Sequence, residues 1–104
     1  MAIKYVLNND LDDLLKDEFV IVDFFSTTCG PCKVFSRILE DVEAELPFVN
    51  IVKVNITDFP GLKEKYEIQA FPTIHFYKYG ELVKSNIGVM QMSEVKEIIS
   101  RYMY

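Results

Sequence analysis

The two cysteines of the chain, Cys29 and Cys32, lie inside VDFFSTTCGPCKVF, with Gly30 and Pro31 between them. Thiols at this spacing can open and close as a disulfide, hold a metal, or sit inert in a core. Residues three apart in a helical turn stand about 5 Å apart at Cα, which a disulfide tolerates. Pro31 suits the first turn of a helix, because the amide hydrogen it lacks would have no helical partner there. Gly30 lets another backbone approach closely. A helix start favours negative charge, so it would stabilise a thiolate at Cys29, the form that acts as nucleophile. Cys32 sits one turn deeper and should be less exposed. A division of labour follows. Cys29 attacks a substrate disulfide, and Cys32 attacks Cys29 to release the reduced substrate.

Cys32 needs a base, and Asp23 is the candidate. It is the one charge in the apolar run over 19–25. A carboxylate in a buried strand is costly unless it is paired or stays protonated, and a raised pKa would let it exchange protons near neutral pH. Lys53 is the matching oddity, the single charge in FVNIVKVNI. If the two strands are neighbours, Lys53 can reach Asp23 and temper its shift. Two readings stay open: catalytic groups, or a buried ion pair.

The other uses of the cysteines fit less well. A closed zinc site needs four ligands, and the chain offers two cysteines and one distant histidine, His75. One copy would have to add a carboxylate; a metal shared between two copies stays open. A Gly-Pro between the cysteines at a strand-to-helix junction argues against inert core residues. His75 has no second ligand or acid near it in sequence and reads as a packed or edge residue. Phe24, Phe25, Phe35 and Phe76 read as core, and Asp10, Asp12 and Asp13 as a solvated helix face.

The elements that must position these groups follow from punctuation and periodicity. Residues 1–7 form a short edge strand. Asn8 or Asn9 caps a short helix with Leu11, Leu14 and Leu15 inward. The run over 19–25 reads as a strand buried on both faces. The helix after the cysteines carries Val34, Ile38, Val42 and Leu46 every four residues, flanked by Phe35 and Leu39, with Arg37, Glu40, Asp41 and Glu43 opposite. Residues 48–56 form a second buried strand. A helix starts at Asp58-Phe59-Pro60 with Leu62 and Tyr66 inward. Pro72 opens a strand over 73–78, and Tyr79-Gly80-Glu81 turns it into a return strand over 82–87. A last helix over 92–102 buries Val95, Ile98, Ile99 and Tyr102. The order β-α-β-α-β-α-β-β-α implies an α/β fold with a mostly parallel sheet and a final antiparallel hairpin.

At 104 residues, half of them hydrophobic, the chain reads as one domain over 1–104 with a core that needs no metal or disulfide staple. A formal net charge of -5 argues against phosphate-backbone binding, and hence against nucleic acid. The start shows no secretory or myristoylation pattern, the end no prenylation pattern, and no apolar run is long enough to span a bilayer. The expected location is the cytoplasm, away from membranes. Structural disulfides are rare there, which favours a catalytic, redox-sensing or metal-binding cysteine pair.

On VDFFSTTCGPCK, VKVNI with Lys53, the FPT at Phe71, Pro72 and Thr73, and Gly80 and Gly88, the chain resembles the thioredoxin family over its whole length. The resemblance implies the thioredoxin fold: a central five-stranded mixed sheet in the order 1-3-2-4-5, flanked by four helices. It implies a cis bond before Pro72 and a client groove formed by Phe71, Pro72, Gly88, Gly30 and Pro31. It places the family's buried acid on Asp23 and its partner lysine on Lys53. It implies no bound cofactor beyond the redox-active disulfide Cys29–Cys32. The implied partners are disulfide-containing client proteins and a flavin-dependent NADPH thioredoxin reductase; the implied role is electron transport in cell redox homeostasis, as a monomer. The chain departs from the family pattern at Thr28 and Phe25, where tryptophans are usual, and at Arg37, where many members have a kinking proline. A changed partner surface and a straighter helix are expected. The expected activity is reduction of protein disulfides. The alternatives are a binding or assembly module with dispensable cysteines, and a more oxidising exchange catalyst.

Overall fold

Val20, Ile21, Val22, Asp23 and Phe24 are all buried, because the strand they form has neighbours on both edges and helices on both faces. The computed structural model describes residues 3–6 and 11–103. Its elements are β1 (Ile3–Tyr5), α1 (Leu11–Leu14), β2 (Val20–Phe25), α2 (Gly30–Glu45), β3 (Asn50–Asn55), α3 (Pro60–Lys65), β4 (Thr73–Lys78), β5 (Glu81–Ile87) and α4 (Met92–Met103). The sheet order is β1-β3-β2-β4-β5. β1 and β2 run parallel to β3, β4 runs antiparallel to β2, and β5 antiparallel to β4. The expected α/β architecture, strand order and closing hairpin are all present.

Strand alternation sorts the core into two layers. Ile21, Ile51, Ile74 and Phe76 pack under α2 and α4 with Phe35, Leu39, Val42, Val95 and Ile99. Val20, Val22, Phe24, Val52 and Val54 pack on the other face with Leu11, Leu15 and Leu62. The hairpin turns through Tyr79 and Gly80, at φ +50° and +84°. Two successive left-handed residues match the right-handed twist of the strands they join. The Tyr79 amide donates to the carbonyls of Asp17 and Glu18, tying the turn to the entry of β2.

Several expectations are corrected. Val34 is 55% exposed, because the buried stripe of α2 is Cys32, Phe35, Leu39 and Val42 and Val34 lies about 100° off it. Phe48 is exposed in the turn before β3, which begins at Asn50. Phe25 is only partly buried, at the end of β2. Tyr66 and Tyr102 are half-buried rather than core. In agreement with expectation, α2 runs unbroken through Arg37, where many members of the family it resembles have a proline. The proposed cap at Asn8 or Asn9, the ends of the first strand at Met1 and Leu7, and Asp10 lie outside the described residues.

Candidate active site

The end of β2 delivers the chain to the cysteines. Ser26 through Thr28 form a short turn, held to the end of β3 by the Thr27 amide donating to Thr57 Oγ1 (3.2 Å) and Asn55 Nδ2 donating to Thr27 Oγ1 (3.3 Å). Cys29 caps α2 with extended backbone, and its Sγ accepts from the Cys32 amide at 3.1 Å. The sulfur thus occupies the place of a capping oxygen, facing a free amide at the positive end of the helix. Pro31 lies in the first turn. The two cysteines are joined as a disulfide with Cα atoms 5.3 Å apart. Cys32 is 4% exposed, whereas Cys29 is partly exposed and Thr28, Gly30 and Pro31 are exposed. A Cβ at Gly30 would meet nothing within 4 Å, so the surface beside the disulfide is open.

Asp23 lies below this turn, fully buried on the α2 face of the sheet. Neither of its carboxyl oxygens has a hydrogen-bond partner among the described residues. Burial pushes its pKa up to about 7, against the opposing pull of the Lys53 charge. Lys53 is paired with Asp23 in the β2–β3 register, as expected for neighbouring strands. The expected direct reach to Asp23 is corrected. The ammonium donates instead to Ser36 Oγ and lies 5.5 and 5.1 Å from the ring centres of Tyr5 and Phe25. A cleft of about 230 Å³ opens there, lined by Cys32, Lys33, Ser36, Lys53, Phe25 and Asn55 among others.

The β4 end of the site comes from register. Thr73 pairs with Phe24 and with Ile87, which brings Pro72 and Gly88 to the same end of the sheet as the cysteines. The Phe71–Pro72 bond is cis. The Gly88 amide donates to the Pro72 carbonyl at 2.8 Å, with Gly88 at φ +97°. His75 stands apart, on the opposite face: its Nδ1 is 2.9 Å from the Tyr77 hydroxyl and its ring packs edge-on against Phe24. Burial holds its pKa below the usual histidine value, as fits a packed residue. Among the described residues no group of three or more His, Cys, Asp or Glu is placed to hold a metal ion.

Ser36, Asn55, Thr27 and Thr57 were not singled out in the sequence. Hydroxyls and amides carry no periodic signal, and only the crossing of α2 over β3 shows what Ser36 meets.

A cysteine pair that closes as a disulfide, one sulfur capping a helix and the other buried a turn behind it, is the working part of a dithiol-disulfide oxidoreductase. The family model described as Thioredoxin matches residues 3–101. A thioredoxin of Chlamydia trachomatis is 33% identical, covering 96% of this chain and 98% of the relative. Among solved structures, an oxidised thioredoxin from Plasmodium falciparum superposes with a TM-score of 0.83 at 31% identity, over 98% of this chain and 99% of that one. A reduced Schistosoma mansoni thioredoxin pre-protein gives 0.87 at 30%, with 98% and 99% covered. The chain belongs to the thioredoxin family, and its redox group is the Cys29–Cys32 disulfide.

Proposed function

We propose that this protein, as a single-domain monomer in the cytoplasm, reduces disulfides of client proteins and passes electrons on from a flavin-dependent NADPH thioredoxin reductase. The Cys29 thiolate attacks a client sulfur, forming a Cys29–client disulfide and releasing one client thiolate. Asp23 takes the Cys32 proton. The Cys32 thiolate then attacks Cys29 Sγ, closing the Cys29–Cys32 bond and releasing the second client thiolate. Two electrons have moved from the dithiol to the client. Lys53 tempers the charge on Asp23. Phe71, Pro72 and Gly88, with Thr28, Gly30 and Pro31, form the surface that receives the client as an extended segment.

The carrying observation is the asymmetry of the pair: Cys29 partly exposed at the helix cap, Cys32 at 4% exposure one turn in. That asymmetry supports an attacking and a resolving role in that order. Among the described residues no helix is long and apolar enough to cross a membrane.

The test incubates reduced Cys32→Ser and Cys29→Ser proteins with a disulfide-bonded protein and separates the products without reductant. Cys32→Ser should accumulate a mixed disulfide with the client, and Cys29→Ser should neither trap nor turn over. A Cys29→Ser protein that reduces the client like wild type would sink the assignment. A double serine variant that fully supports growth where the wild type is required would favour a binding module.

A further inference from the structure

Lys53 is 5% exposed, and a buried ammonium needs acceptors. Its register partner Asp23 lies on the adjacent strand, about 4.8 Å away in the pairing direction and on the same face. The expected outcome of that arrangement is an ion pair. The ammonium has gone elsewhere: it donates to Ser36 Oγ and rests against the rings of Tyr5 and Phe25, while both Asp23 oxygens stay without a hydrogen-bond partner among the described residues. Ser36 lies one helical turn beyond Cys32, and both line the cleft that Lys53 enters.

We propose that Ser36 is a positioning residue for thiol-disulfide exchange: its hydroxyl holds the Lys53 ammonium off the Asp23 carboxyl, so that Asp23 remains a competent acceptor for the Cys32 proton. The inference rests on the reading of Asp23 as the base for Cys32. A carboxylate locked against an ammonium is a weak base, because the proton must displace the cation's stabilisation. One with the cation held at a hydroxyl keeps its affinity for a proton. Among the described residues Lys53 is the charged group that acts on Asp23. β4 sets Ile74 beside it in register, and the core layer on that face of the sheet is apolar, with Ile21, Phe76 and, from α4, Val95, Ile98 and Ile99. Cys32 is buried on α2, the helix that covers this layer. His75 lies on the other side of the sheet, with Phe24 and Tyr77. Lys53 is therefore the cation whose placement sets the proton affinity of Asp23, and Ser36 is what places it.

The experiment titrates the Asp23 carboxyl by carbon NMR in the oxidised wild type, Ser36→Ala and Ser36→Thr, and records the pH profile of single-turnover client reduction in the same proteins and in Asp23→Asn. In Ser36→Ala the ammonium turns to its remaining acceptor, so the Asp23 midpoint should fall by about one pH unit or more. The kinetic profile should move the same way, and Ser36→Thr, which keeps a hydroxyl, should stay with the wild type. An Asp23 midpoint that does not move in Ser36→Ala would overturn the positioning role. A wild-type kinetic profile in Asp23→Asn would overturn it differently, by removing Asp23 from the proton transfer; the carboxyl titration tells the two failures apart.

Discussion

Asp23 and Lys53 are cross-strand partners whose charged ends are held by different things: the ammonium by Ser36 and two aromatic rings, the carboxyl by nothing among the described residues. In the core of the domain the cheapest state for such a carboxyl is the protonated one. A buried acid that is neutral below neutrality and ionised above it is well matched to thiols, whose own ionisation lies somewhat higher.

Removing the cation should push Asp23 further in the same direction. The Lys53 charge opposes the effect of burial on Asp23. In Lys53→Met the carboxyl midpoint should therefore rise above its value of about 7, by up to about one unit. Carbon NMR of the oxidised protein measures it, and a fall would mean that Lys53 does not act on Asp23 through its charge. The sign is opposite to that expected for Ser36→Ala, which separates moving the lysine from deleting it.

Stability should depend on pH through the same group. In the unfolded chain Asp23 ionises near 3.8 and in the folded chain near 7. Between those values the native state binds more protons, so unfolding free energy falls as pH rises. The stabilising contribution is full below the unfolded value, is lost as pH rises through the folded one, and is constant above it. Asp23→Asn should therefore gain on the wild type between about pH 4 and about pH 8, by an amount on the order of a few kcal/mol. Urea unfolding of both oxidised proteins at the two ends of that range checks this, and a pH-independent difference would count against a buried, protonated Asp23.

Phe35, on the buried face of α2, is fully enclosed in the core layer it shares with Ile21, Phe76 and α4. Truncation to alanine should cost about 3–5 kcal/mol, as large-to-small changes in closed cores do. Urea midpoints report the loss. Val34→Ala, one residue away on the exposed side, should stay within about 0.5 kcal/mol of wild type.

Gly88 holds φ +97° while its amide donates to the Pro72 carbonyl. The φ, not crowding, makes it glycine's place, since a Cβ there would meet nothing within 4 Å. Gly88→Ala should lose about 1–3 kcal/mol of stability. If the client surface is the one proposed, it should also raise KM for a protein disulfide, because the Gly88–Pro72 bond would hold one wall of that surface. Equilibrium unfolding and steady-state kinetics measure the two effects separately.

Much of this was legible before the fold. The alternation of apolar runs with helical stripes is a strong signal, and β2, β4 and α2 lie close to where residue types place them. Cys29, Cys32, Asp23 and Lys53 stand out because each is a chemical exception in its surroundings. What the sequence hid is of two kinds. Val34 shares its spacing with a true stripe, and spacing alone cannot say which edge of a stripe faces the sheet; only the crossing of α2 over β2 and β3 decides that. Ser36 is an ordinary helical serine until β3 brings Lys53 beneath it. Register revealed that Asp23 and Lys53 are neighbours, but where a long side chain ends depends on every acceptor within its reach.

The hairpin tip carries a consequence for handling the molecule. Tyr79 and Gly80 sit at the entry of β2, and the cysteines follow its exit, six residues of extended chain away. The two poles are thus about 20 Å apart, joined by the most deeply buried strand. Tyr79 is 68% exposed, and its amide is anchored to the backbone of Asp17 and Glu18 rather than to a side chain. A fluorophore or surface tether attached through the side chain of residue 79 would keep that anchor. It would leave the disulfide facing outward, so that an immobilised layer of the protein presents its reactive end to whatever flows past.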